Sequence, residues 1–317
     1  MVRRAAPTVK PILVTGSPRS GTTWVGRMMA PSEQLYYIHE PFNPDYPPGS
    51  NICNVRFKHH QTYITEENEH FYYQPIKQMI QGHYNFTLDG IVHHPIKGFR
   101  SHWSQWKRFQ HYHHNRMVPL IKDPVALMSA GWMARRFDIH VVVMIRHPAA
   151  VVASMKRLNW GFDPKKWALS QPLLLRDHLL PFKDELTLLS ASKSDIVDQI
   201  ALLWKIAYAM VLTYQADFPG WVYLKLEELA EDPLDRFALL FERLGLKFTD
   251  TLKRRITEHS SESNPTRSTG KEKLIKLNSK KAVNQWKKHL STGEISRVRE
   301  IVEEVSKFYY ADCTWEI

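Results

Sequence analysis

Four short runs of the chain are apolar almost without interruption: Pro11 to Thr15, Val118 to Lys122, His140 to Ile145 and Trp221 to Leu226. The run His-Val-Val-Val-Met-Ile (140–145) is rich in β-branched residues, as expected for a strand buried on both faces of a parallel sheet. Between and after these runs, apolar residues return at helical spacing. The pattern predicts helices over Thr22–Ala30, Val125–Phe137, Pro148–Leu158, Ile196–Tyr214, Pro233–Leu244 and Gly293–Tyr309. In the longest, Ile196, Ile200, Leu203, Ala207, Met210 and Tyr214 form one 3.6-period face. Alternating strands and helices predict an α/β fold, a three-layer sandwich around a mainly parallel central sheet. In such folds ligands bind beyond the carboxyl ends of the strands.

Residues 43–118 break this rhythm. They are rich in Pro, His, Tyr, Phe and Trp and show little periodicity, so they read as an acceptor-side insertion within a single domain spanning 1–317. His59-His60 and the His-Tyr-His-His run at 111–114 lie here without Cys or carboxylate partners at zinc-like spacing, and read as surface or acceptor-lining residues. Trp103, Trp106 and the later Trp160 are candidates for stacking against sugar faces, with packing as the competing use.

Composition narrows the classes. The net charge of +11 favours an anionic partner without choosing one. No zinc-finger or RNP-type signature supports a nucleic-acid partner. Two distant cysteines, Cys53 and Cys313, make neither a disulfide framework nor a metal cluster. No run of about 18 apolar residues predicts a membrane span, and the amino-terminal segment lacks the apolar core of a signal peptide. A cytoplasmic enzyme is the expectation.

The first strand-like run enters Gly16-Ser-Pro-Arg-Ser-Gly-Thr-Thr-Trp24. Gly16 and Gly21 have the spacing of a phosphate-binding loop, but Thr22 and Thr23 stand where a P-loop NTPase has Lys and Ser/Thr. A P-loop-like strand–loop–helix is still an anion site, because loop and helix-start N–H groups converge and the helix dipole favours negative charge. Ser20, Thr22 and Thr23 add hydroxyl donors, and Arg19 adds a planar fork suited to phosphate or sulfate oxygens. The missing lysine disfavours the alternative reading, a P-loop nucleotide or small-molecule kinase.

This loop resembles the 5′-phosphosulfate loop of sulfotransferases that use PAPS, 3′-phosphoadenosine 5′-phosphosulfate. The resemblance implies a 3′-phosphate clamp of an Arg at a strand end and a Ser on the next helix, matched by Arg146 and Ser154. Tyr-Ile-His-Glu-Pro (37–41) and Leu-Ile-Lys-Asp-Pro (120–124) look like motifs of the tyrosylprotein and carbohydrate sulfotransferase branch. By that likeness Glu40 is the catalytic base, with His39 the runner-up, and Lys122 stabilises the transferring group. Residues 267–290, with Lys276, Asn278 and Trp286, are similar to the loop that covers the nucleotide, and Ser263 is a looser match to an active-site serine. The resemblance places this covering loop at about 260–290. It further implies that Arg19, Ser20, Gly21, Thr22, Thr23, Trp24, Arg146, Ser154 and Lys276 hold PAPS and its product PAP, with no metal. The small-phenol branch usually has Lys in the loop and His as base. Arg19 and Glu40 therefore favour the branch acting on carbohydrate or peptide hydroxyls; a glycan acceptor leads, with peptide tyrosine and a small-metabolite hydroxyl as the alternatives.

Overall fold

A computed structural model describes residues 9–46, 53–82, 103–191 (without 105, 108 and 113), 194–266 and 276–316. Five strands form one sheet: β1 (Ile12–Gly16), β2 (Leu35–His39), β3 (Val118–Lys122), β4 (His140–Ile145) and β5 (Val222–Lys225). Their order is β2-β3-β1-β4-β5, and every pair is parallel. Successive residues of a strand face opposite sides. Leu13, Ile121 and Val143 therefore enter one core, while Ile12, Val14, Leu120 and Val142 enter the other. Both faces are covered by helices, which makes the three-layer sandwich.

The helices that frame the site are α1 (Thr22–Met29), α2 (Pro148–Arg157), α3 (Ile196–Asp217), α4 (Pro233–Arg243), α5 (Asp250–Ser260) and α6 (Thr292–Ser306). On one face α2, α3 and α6 pack through residues such as Met155, Ile200 and Val298. On the other, Val25 and Met28 of α1 meet Phe237 and Leu240 of α4 and Ile256 of α5. A fully buried side chain of this kind contributes about 1.5–3 kcal/mol. Helix starts are marked in the sequence. Asp195 accepts the Val197 N–H at 2.9 Å before α3, and Ser291 and Glu294 form a reciprocal capping box before α6.

Three expectations change. β2 was not among the anticipated strands: Leu-Tyr-Tyr-Ile-His is short, aromatic and without alternation, and pairing with β3 is what makes it a strand. The helix expected over 125–137 is split into a tight 3₁₀ turn, Pro124–Ser129, and a helix, Ala130–Arg136. Finally, α3 is long and apolar enough to cross a membrane by length and composition, contrary to the sequence expectation. Here it is a core helix, with Trp204 and Tyr208 fully buried. The expected loop residues 267–275 and part of the 43–118 insertion lie outside the described residues.

β1 is central, and the chain builds outward from it in both directions. The switch point therefore falls at the carboxyl ends of β3, β1 and β4, where a crevice opens. Gly16 closes the end of β1 onto β4. Its φ is 147°, and a Cβ there would lie 2.4 Å from Met144 O. Gly16→Ala is expected to lower stability by about 1–3 kcal/mol through this overlap, measured by thermal or denaturant unfolding.

Candidate active site

The loop leaving β1 is braced from both sides. Ser20 N–H donates to Ser17 O at 3.1 Å. Ser17 Oγ lies 3.1 Å from Tyr208 Oη, whose proton goes to Met144 O at 3.0 Å. Arg19 takes a left-handed backbone, φ 68°, and so does Gly21 at 99°. A Cβ on Gly21 would come 2.7 Å from Leu226 Cδ1. α1 then begins at Thr22 with no acidic residue in its first turn, so its open N–H groups face an anion site undiluted by local carboxylates.

β4 delivers Arg146 and α2 delivers Ser154 to the same place. Arg146 Nη1 donates to Arg19 O at 2.8 Å, and Arg19 Nε donates to Ser154 Oγ at 2.9 Å. The Arg19 guanidinium also sits 5.7 Å over the Trp160 ring. Burial, and then the neighbouring Arg146 and Arg157, push the Arg19 pKa below its ordinary value. Like charges gathered at a helix start are an electrostatic demand for an anion. Two donors strengthen it: Ser20 Oγ and Arg146 Nε are buried and meet no hydrogen-bond partner among the described residues.

A second group forms at the carboxyl ends of β2 and β3. β2 and β3 pair with His39 opposite Lys122, so Glu40 leaves β2 directly above Lys122. Glu40 N–H donates to Lys122 O at 2.9 Å. Its φ of 45° is left-handed, a cost of order 1–2 kcal/mol for a residue with a Cβ. Lys122 is fully buried, and its Nζ donates to Glu40 Oε1. Asn43 Nδ2 donates to Glu40 Oε2 at 3.2 Å. Burial, the largest single influence, pushes the Glu40 carboxyl up, but Lys122, with His39 and the Asn43 hydrogen bond, together make the net shift downward. Burial lowers the Lys122 pKa, against the pull of Glu40. His39 is also lowered, by burial first and then by Lys122.

Both groups open into a cleft of 1120 Å³, roomy for a nucleotide together with an acceptor. Its lining includes Arg19, Gly21, Thr22, Thr23, Trp24, Glu40, Arg146, Ser154 and Trp160. Ser20 lies beneath it, fully buried, and Lys122 lies beneath Glu40. His39 is not in the lining; its Nδ1 lies 3.2 Å from Tyr37 Oη. Lys276 is placed apart, 3.2 Å from Glu258 at the surface and outside the lining, whereas Leu277, Ser279 and Trp286 of the same segment do line it. Ser263 bonds Ser261 at 2.8 Å, also outside. His59, His60 and Trp160 line the cleft, but Trp103 and Trp106 stack on each other elsewhere. Among the described residues no cluster of three His, Cys, Asp or Glu could hold a metal ion. Sequence reasoning passed over Asn43 and gave Asp123 no role. The three-residue step from Glu40 to Asn43, a turn, was the available signal for the first.

Comparison with known proteins bears on the family and the fold. The family described as "Sulfotransferase family" matches residues 11–250. No curated protein matches. Among solved structures, the sulfotransferase domain from the curacin biosynthetic pathway is similar with a TM-score of 0.52 at 13% identity, over 94% of this chain and 97% of that one. At this identity the likeness concerns the fold. The sulfotransferase domain from the Synechococcus PCC 7002 olefin synthase aligns over 97% of this chain and 98% of its own, with 13% identity and a TM-score of 0.47. With a family match that runs from the first strand to the start of α5, the chain belongs to the sulfotransferase family.

Proposed function

We propose that the chain transfers a sulfuryl group from PAPS to a hydroxyl of a carbohydrate acceptor, by in-line displacement with Glu40 as base. The observation that carries this reading is the shared cleft: a carboxylate held ionised beside Lys122 and a two-arginine anion site both line it. The residues present fit the donor. A loop rich in N–H and hydroxyl donors, with Ser20 Oγ and Arg146 Nε unpartnered among the described residues, suits a group with many anionic oxygens. The half-exposed Trp160 offers an apolar face to a sugar ring.

In this reading the acceptor O–H gives its proton to Glu40 while its oxygen bonds the sulfur. The bond from sulfur to the 5′-phosphate oxygen breaks, and PAP leaves with the electron pair. Arg19 and the loop amides take up charge growing on the phosphate oxygen. Proton uptake neutralises Glu40, and the Lys122 charge, no longer matched, then favours the anionic sulfuryl group. Arg146 and Ser154 hold the 3′-phosphate. Lys276 remains a candidate donor ligand only if it exchanges Glu258 for the nucleotide.

Calorimetric titration with PAP, against ATP with and without Mg²⁺, tests the donor. Metal-independent PAP binding that Arg146→Ala weakens by about 1.5–3 kcal/mol is the expected result, the contribution of a charged hydrogen bond. Preference for Mg-ATP, or no binding of either, would remove the PAPS reading.

A further inference from the structure

The carboxylate next to Lys122 has no place in the chemistry above, yet it is among the most completely buried polar groups of the described chain. Asp123 Oδ2 accepts the Phe42 N–H at 2.7 Å, and Oδ1 accepts the Val125 N–H at 2.8 Å. Its own N–H donates to Val14 O at 2.9 Å, which ties it to the central strand. Phe42 lies two residues beyond Glu40, and Phe42 is itself fully buried. Glu40 is therefore held on both sides. Before the turn its N–H is bound by Lys122 O, and after it the chain is bound by the Asp123 carboxylate. Between these two clamps lies the left-handed residue. A non-glycine residue persists in that conformation only where its surroundings over-determine it.

We propose that Asp123 is a positioning residue for Glu40, holding the turn that aims the Glu40 carboxylate from the end of β2 into the cleft. The proposal rests on Glu40 acting as the base. Burial pushes the Asp123 pKa up to about 7, so the anchor is geometric: two short backbone hydrogen bonds, with Val125 on the second oxygen fixing the plane of the carboxyl group. An asparagine could accept from only one of the two N–H groups and would turn its NH₂ on the other. A displacement of the base by about 1 Å is enough to cost up to about 100-fold in rate.

The test is a kinetic cycle of Asp123→Asn and Glu40→Gln, with PAP affinity measured on each variant. Asp123→Asn is expected to lower kcat by about 10- to 100-fold with PAP affinity unchanged within about twofold. In the Glu40→Gln background the same substitution is expected to change kcat by less than about twofold, because residues acting as one unit are non-additive. Equal losses in both backgrounds, or wild-type turnover in a folded Asp123→Asn protein, would overturn the positioning role. Wild-type turnover in Glu40→Gln would instead remove the base reading itself, so the two failures are distinct. Should Asp123→Asn not fold, amide exchange in the wild-type chain decides. A Phe42 N–H protected well beyond that of the exposed Asp45 supports the clamp, and one exchanging equally fast overturns it.

Discussion

Glu40→Gln is expected to lower kcat by about 10²- to 10⁴-fold, the usual contribution of a positioned general base. PAP affinity should stay within about twofold of wild type, because the Glu40 carboxylate accepts from Lys122 and Asn43 at the ends of β2 and β3, whereas the donors suited to PAP lie on the loop after β1 and at the end of β4. The amide is chosen to preserve the Lys122 contact. Its Oε1 can still accept from Lys122, while its NH₂ would meet Asn43 Nδ2, so it loses the ability to take a proton together with the Asn43 hydrogen bond. The pH profile of kcat/KM supplies an independent check. The Lys122 ammonium holds the Glu40 pKa below the ordinary value of 4.5, so the base form persists to below that pH and activity is lost only as pH falls through the depressed pKa. An acid limb above that ordinary value in the wild-type protein, or a Glu40→Gln protein with near-normal turnover, would take the base role from Glu40.

Lys122→Met is expected to lower kcat by about 10²- to 10³-fold, comparable to losing one preorganised charge at a reacting centre. Methionine roughly preserves the buried stem and removes only the ammonium, so collapse of the fold is not the anticipated cause. A second effect separates this prediction from simple damage. Without Lys122, burial acts on Glu40 with its largest opposing influence gone, and the Glu40 pKa should rise. The acid limb of kcat/KM should therefore move to higher pH in Lys122→Met. A fall in rate with an unmoved acid limb would mean that Lys122 does not control the ionisation of Glu40.

The glycine loop after β1 and its strand–helix context were legible along the chain because they are contiguous. Gly16, Arg19 and Gly21 occupy one turn whose backbone need is local: positive φ at three positions. Arg146 and Ser154 were found through the family resemblance, whose motif is likewise contiguous: nine residues of strand end and helix carry both. That Arg19 and Ser154 hydrogen-bond each other was not legible, because the contact spans 135 positions. The two were assigned to opposite ends of the donor, and the structure joins them.

Other residues show where a local pattern misleads. Trp103, Trp106 and Trp160 looked equivalent by type, yet only Trp160 lines the cleft, where a left-handed Asn159 turns the chain at the end of α2. Lys276 lies in a recognisable segment, but an exposed lysine takes whichever carboxylate is nearest, here Glu258. β2 was missed because an edge strand of aromatic residues has no signature of its own until β3 offers it hydrogen-bond partners.

By itself the sequence determined the α/β class and the glycine loop between the first strand and helix, which follow from short-range hydrophobic period and local turn chemistry; Arg146 and Ser154 entered through the family resemblance. Only the tertiary structure decided how Glu40 is set. Parallel pairing of β2 with β3 brings Glu40 onto Lys122 across 82 positions, and the buried Asp123 binds the turn that follows. The physical reason is that the strength of a charge pair and the pKa of a carboxylate depend on distance and burial, and those are properties of the packed sheet, not of neighbours along the chain.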